Sequence, residues 1–382
     1  MSSSTVPIMK SALFWFSCLL MTVVALLSVA ELLMRLAEPM SPYAPDDEIG
    51  WVNSANYEFH GSKRDIAGAE YQVDIRTEDN GFNVFGDPRE TDTLKAFFVG
   101  DSITQALQVS SDKTYYSVIG DLLPLEIFAY GSDGYGTLQE FLILDRFIDD
   151  IRPDIIVIQA SWTDVLNNHY PLDRLSTLTD MGRRRPYLTE NGDIVYALPS
   201  RFPRVRQAVN DYSRLLTALW LLSERLLPPT VTQSIESTLA TEGFSYPPFR
   251  DGVAITNQIF GKVRSRAAGI PVFVFCSDLA AAGDFRAIAE RNGGNFIDGV
   301  PQALRAAQER GEVIAAADGS HWNERGHRIT AEVISQHLAR SLDTIRGAAQ
   351  VGSVGQDGQP PAVVVALRSA RAAARDLDAY RH

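Results

Sequence analysis

The sequence predicts an α/β fold, a three-layer sandwich with a central parallel sheet, together with an N-terminal transmembrane helix. Three observations carry this. From Leu94 onward, short apolar runs recur along the chain: KAFFVG, LEIFAY, DIIVIQA and PVFVFCS. Amphipathic stretches such as TLQEFLILDRFIDD and ITNQIFGKVRSRAA separate them, and strands alternating with helices build a parallel sheet covered on both faces. Near the start, residues 11–30 contain no charge, and a helix of that length spans about 30 Å, the hydrocarbon thickness of a bilayer.

The first element reads as an uncleaved anchor over residues 1–36, because LLMRL continues the apolar pattern past Glu31. A cleaved signal peptide is the rival, since Ser28-Val29-Ala30 supplies small residues of the kind found at cleavage sites. Lys10 before the stretch and Arg35 after it leave the orientation undecided by charge. Residues 37–50, rich in Pro, Asp and Glu, read as an extended linker. Tyr71, Val73 and Ile75 then alternate with polar neighbours, and Asn80-Gly81 offers a turn, so residues 37–93 form a linker and an extended cap. The sheet domain occupies residues 94–346. The stretch between DIIVIQA and PVFVFCS is far longer than one crossover needs, which marks an insertion over about residues 169–250. Within it YLTENGDIVYAL predicts a hairpin turning at Asn191-Gly192, and SRLLTALWLLSERLL an apolar helix that packs in the core or covers the site. Residues 347–382 read as a low-complexity tail.

Of the 382 residues, 45% are hydrophobic and 21% charged, as in an ordinary folded protein, and the formal net charge is -12. That charge argues against nucleic acid as a partner. The basic run Arg183-Arg184-Arg185 beside Pro186 reads as a solvated turn. With two cysteines, Cys18 in the apolar segment and Cys276 ending PVFVFCS, no disulfide framework is expected, and Cys276 reads as a small core residue.

In an open α/β sheet, ligands bind beyond the carboxyl ends of the strands. The run ending at Val99 is followed by Gly100-Asp101-Ser102, which puts a serine at that edge. The next run leads into YGSDGYGTLQE, whose glycines leave N–H groups uncovered and able to face an oxyanion. The third leads into SWTDV, and near the C-terminus DGSHWNERGH places Asp318 and His321 three residues apart before a helix. A serine attacks an ester at neutral pH only if a base takes its proton, and a carboxylate fixes the tautomer of that base. Ser102, His321 and Asp318 supply those parts. His327 reads as a surface or helix-capping histidine.

VGDSIT, SDGYGTLQE, SWTDV and DGSHWNERGH resemble the blocks of the SGNH/GDSL hydrolase family, over roughly residues 94–342. ELLMR, DEIGW and NGFNVFGDP also look like its membrane-anchored bacterial members associated with surface polysaccharides. The resemblance implies a flavodoxin-like α/β sandwich and an esterase in which Ser102 is the nucleophile, His321 the base and Asp318 its orienter. The Ser102 and Gly134 N–H groups would form the oxyanion hole. Its substrate would be a small-molecule or carbohydrate ester, such as an O-acetyl group, with no cofactor and no metal. A single helix would hold the protein in a bacterial inner membrane, the catalytic domain facing the periplasm. One position departs from the pattern: the family's third block has Asn before Asp, and here Thr163 precedes Asp164. Thr163 would have to donate in its place, or Trp162, Asn167 or Asn168 would substitute. Ala106 stands where many relatives have glycine. An O-acyltransferase using the same triad, and a non-catalytic carbohydrate-binding or scaffold protein with a degenerate site, remain as alternatives.

Overall fold

A computed structural model describes residues 5–36, 41–89, 93–177, 182–189, 191–200, 202–226 and 234–352. The chain divides into two compact units, Met1–Ser41 with Ser200–Gln233, and Pro42–Pro199 with Ser234–His382.

The first unit contains the helices Thr5–Leu36, Pro203–Tyr212 and Arg214–Leu226. Phe14–Leu36 is long and apolar enough to cross a membrane, with a mean hydropathy of 2.2, a property that signal sequences share. A carboxylate on that helix caps another: Glu31 accepts from Ser213 Oγ and from the N–H groups of Arg214 and Leu215 at 2.8–2.9 Å. These N–H groups open a helix and have no partner within it. The helix expected to pack in the core or cover the site keeps Leu216, Leu219, Leu221 and Leu222 about half exposed. These four side chains are therefore not packed in a core.

The second unit opens with two antiparallel hairpins, β1 (Tyr43–Asp46) with β2 (Gly50–Asn53) and β3 (Glu58–Arg64) with β4 (Glu70–Arg76). The expected linker thus ends before Tyr43. Trp51 is fully buried and donates its indole N–H to Asp133 O at 3.1 Å, which ties the first hairpin to the loop after a sheet strand. Residues 65–69 make the turn between β3 and β4, while Asn80-Gly81 turns the chain from β4 toward β5 (Val84–Phe85).

Five further strands complete a six-stranded sheet in the order β12-β11-β8-β6-β7-β5: β6 (Leu94–Gly100), β7 (Leu125–Gly131), β8 (Ile155–Ala160), β11 (Val272–Cys276) and β12 (Asn295–Phe296). Every pairing is parallel except that of β5 with β7. The expected parallel sheet thus has one antiparallel edge strand. Residues 86–93 between β5 and β6 are too few for a parallel crossover, which takes about a dozen.

Strand residues alternate between two cores. Phe97, Val99, Phe128, Tyr130, Ile156, Ile158 and Val274 pack on one face against the helices Thr137–Ile151, Pro247–Arg266 and Ala282–Arg291. Ala96, Phe98, Ile127, Ala129, Val157, Phe273 and Phe275 pack on the other, against Tyr115–Leu122, Val300–Glu309 and Glu324–Gly352. This is the three-layer α/β sandwich. The last helix runs into the expected tail, whose remainder lies outside the described residues.

The insertion contains the expected hairpin, β9 (Arg185–Leu188) with β10 (Ile194–Ala197), turning with Gly192 at φ +86°. The arginine run at its start is solvated only at Arg184, which is exposed. Arg185 is fully buried, with Nε 3.1 Å from Asp173 Oδ2 and its guanidinium 5.2 Å from the Trp51 ring centroid. Arg184 lies over Tyr196 and Arg183 over Tyr43. A guanidinium is planar and weakly hydrated, so aromatic faces can draw it out of water.

Candidate active site

The turn Ser102–Gln105 sits against the ends of β6 and β7 because Gly100 and Gly131 have no side chains there. A Cβ on Gly100 would collide with Thr104 and Gln159, and one on Gly131 with the backbone of Thr104 and Gln105. Asp101 holds the turn from three directions. Its N–H donates to Gln159 Oε1 (3.0 Å), Oδ1 accepts from Ile103 N–H (2.8 Å) and Oδ2 accepts from Ser161 Oγ (2.9 Å). Ser102 opens the turn and is half-buried; among the described residues its hydroxyl makes no hydrogen bond. Ala106 closes the turn at φ +59°, a left-handed conformation that costs an L-residue about 1 kcal/mol and suits glycine better.

After β7 the loop takes a turn with Gly134 at φ +71°. Asp133 N–H donates to Gln105 Oε1 at 3.0 Å. Asn167 Nδ2 donates to Gly134 O (3.1 Å) and Tyr135 O (3.0 Å), holding the loop by its carbonyls. Among the described residues the Gly134 N–H donates to no acceptor. Asn167 and Asn168 are thus spent on positioning: both are buried, and Asn168 accepts from Leu138 N–H and donates to Thr256 Oγ1. Trp162 sends its backbone N–H to Asp278 Oδ2 at 2.9 Å.

Thr163 lies in the first turn of the helix Trp162–Asn168, its Oγ1 2.6 Å from Ser161 Oγ. Ser161 has one hydroxyl proton and faces Asp101 Oδ2 at 2.9 Å and Asp164 Oδ1 at 3.1 Å. When both carboxylates are ionised that proton goes to one of them, and Thr163 donates to Ser161. Only when both acids are protonated does Ser161 donate to Thr163 instead, which releases the threonine proton. Burial raises the pKa values of Asp101, Asp164 and Glu140, and their mutual repulsion adds to the rise for Asp164 and Glu140.

Asp318 and His321 meet within one turn. His321 Nδ1 lies 2.9 Å from Asp318 Oδ2, while Oδ1 accepts from the N–H groups of Ser320 (3.0 Å) and His321 (2.9 Å). Burial alone would raise Asp318, but its bonds from the His321 ring and from these N–H groups hold it far below the usual carboxylate range. Burial lowers His321, and Asp318 outweighs that, with help from Asp133 and Asp101, so the imidazole is raised above its ordinary value. With Nδ1 donating to Asp318, Nε2 is the ring's free base.

Ser102 and His321 share no hydrogen bond among the described residues; Asp101, the residue before Ser102, acts on His321 through its charge. Gln159, Gln105 and Ser161, which no motif reading assigned a role, position the loops. His327 is neither a surface residue nor a cap. It is buried, accepts from Tyr115 N–H at 3.2 Å, stacks on the Tyr115 ring and is lowered to about 3 by burial and by His321.

No protein-family model matches the chain, and no curated protein matches it. Among solved structures it is similar to LAE5, an alpha/beta hydrolase enzyme from the metagenome of Lake Arreo, Spain, at 14% identity and TM-score 0.35, covering 65% of this chain and 96% of that one. It is also similar to TesA at 13% identity and TM-score 0.36, covering 64% and 98%. Axe2, an acetylxylan esterase from Geobacillus stearothermophilus, is similar at 12% identity and TM-score 0.34, covering 65% and 95%.

Proposed function

We propose that the protein is a serine esterase, with Ser102 as nucleophile, His321 as base and Asp318 as its orienter. The observation that carries this reading is the Asp318–His321 pair, in which the carboxylate fixes the ring tautomer and leaves Nε2 free to take a proton. Ser102 Oγ attacks the acyl carbon as its proton passes to Nε2. The carbonyl oxygen becomes an oxyanion that the Ser102 and Gly134 N–H groups stabilise, with Thr163 as a third donor when its hydroxyl proton is free. His321 then protonates the leaving alkoxide. Water attacks the acyl-enzyme, giving its proton to Nε2, and Ser102 is restored as the carboxylic acid departs.

The substrate is a carboxylic ester, an O-acetyl group on a carbohydrate being the case the sequence resemblance favours. The Phe14–Leu36 helix supports a single-pass anchor in a bacterial inner membrane, with the site in the periplasm. A fluorophosphonate probe should label the wild-type chain and not the folded Ser102→Ala variant, which should also lose hydrolysis of short-chain aryl esters. Equal labelling of both, or none of the wild type, would reject the mechanism.

A further inference from the structure

The arginine run at residues 183–185 has no part in ester cleavage as described, yet its three members differ in a way that points to one. Arg185 is paired with Asp173. Arg183 lies 4.5 Å from the Tyr43 ring centroid and 5.9 Å from that of Trp51, but among the described residues it enters no hydrogen bond and no ion pair. Its Nη1 is shielded from solvent and lacks a partner. A half-buried cation without a carboxylate is costly, because it loses hydration and receives only the ring faces in return.

Its place in the fold relates it to the site. The Tyr43 hydroxyl lies 3.1 Å from Gln105 Oε1 and 3.4 Å from Asp133 Oδ2. Gln105 ends the turn that Ser102 opens, and Asp133 precedes Gly134. The charge of Asp133 acts on both Arg183 and His321. The Tyr43 hydroxyl faces Asp133 while its ring carries Arg183, which sets the phenol between those charges. A chain with a net charge of -12 thus keeps a guanidinium that makes no ion pair among the described residues beside the proposed catalytic loop.

We propose that Arg183, backed by Tyr43, forms a subsite for a carboxylate carried by the substrate, so that the enzyme acts on esters of acidic rather than neutral molecules. This rests on the reading of Ser102, His321 and Asp318 as the ester-cleaving centre. A guanidinium suits the task because its planar fork can donate two parallel bonds to a carboxylate.

Calorimetric binding of trigalacturonate and of a neutral galactose trimer to the full-length protein in detergent tests it. Wild type should bind the acidic trimer about tenfold more tightly, the effect of one charge-assisted contact. Arg183→Gln should remove most of that preference, and Arg183→Lys should retain part of it. No preference in wild type, or one that survives in Arg183→Gln, would overturn the proposal. Should Arg183→Gln fail to fold, the wild-type preference and its fall with rising salt decide the matter. Fluorophosphonate labelling of the same samples scores Ser102 separately: absent labelling with an intact preference would reject the esterase reading and leave the carboxylate site standing.

Discussion

Asp318 and Asp101 are both carboxylates at the candidate site, and their surroundings move them in opposite directions. Asp318, partly exposed, is drawn low by the His321 ring and two backbone N–H groups. Asp101 also accepts bonds, from Ile103 N–H and Ser161 Oγ, but it is fully enclosed and its pKa is raised. Beneath it lie Asp164 and Glu140, also enclosed, and among the described residues both Glu140 oxygens lack a partner. Donors must therefore outnumber the like charges nearby before burial stops favouring the neutral acid. One carboxylate stays ionised and can orient a base; the other is suited to holding the serine turn in place.

The largest effect should separate the two residues. Asp318→Asn keeps the shape but loses the charge that fixes the His321 tautomer, so kcat on an aryl ester should fall about a thousandfold or more, with KM little changed. Asp101→Asn still offers an acceptor to Ile103 N–H and an amide to Ser161, and it relieves repulsion with Asp164. Its kcat should fall much less and its Tm should rise. Equal losses in the two variants would break the distinction.

A pH profile sharpens it. His321 must be neutral to accept the serine proton, and its pKa is raised, so kcat/KM should climb with pH through a midpoint above about 6.5. Because Asp318 is lowered, it remains ionised throughout that range and adds no second limb. In Asp318→Asn the residual activity should show a lower midpoint, since the charge that raises His321 is gone. An unmoved midpoint would mean that another group controls the profile.

The smallest effect concerns Thr163, whose hydroxyl is held by Ser161 and through it by the buried acids. If the hole lacks a third donor, Thr163→Asn should raise kcat about tenfold, a fraction of the roughly 3 kcal/mol a full donor contributes. KM should change less, because the bond tightens in the transition state. A fall in kcat for both Thr163→Asn and Thr163→Val would show instead that the threonine hydroxyl is itself the donor.

What the sequence determined by itself is what short-range geometry sets. Alternating apolar runs decide which side chains face which core, as Phe97 and Phe98 do, and a three-residue spacing before a helix is enough to bring Asp318 onto His321. A strand ending in Gly-Asp-Ser likewise puts Ser102 at the sheet's edge. Tertiary packing decided the rest, because contacts across long stretches of chain depend on how elements stack rather than on any local period. It brought Ser161 to Asp101 and Asn167 to Gly134, enclosed His327 against Tyr115, and laid Arg183 on Tyr43, leaving one member of what reads as a solvated basic run as a half-buried cation.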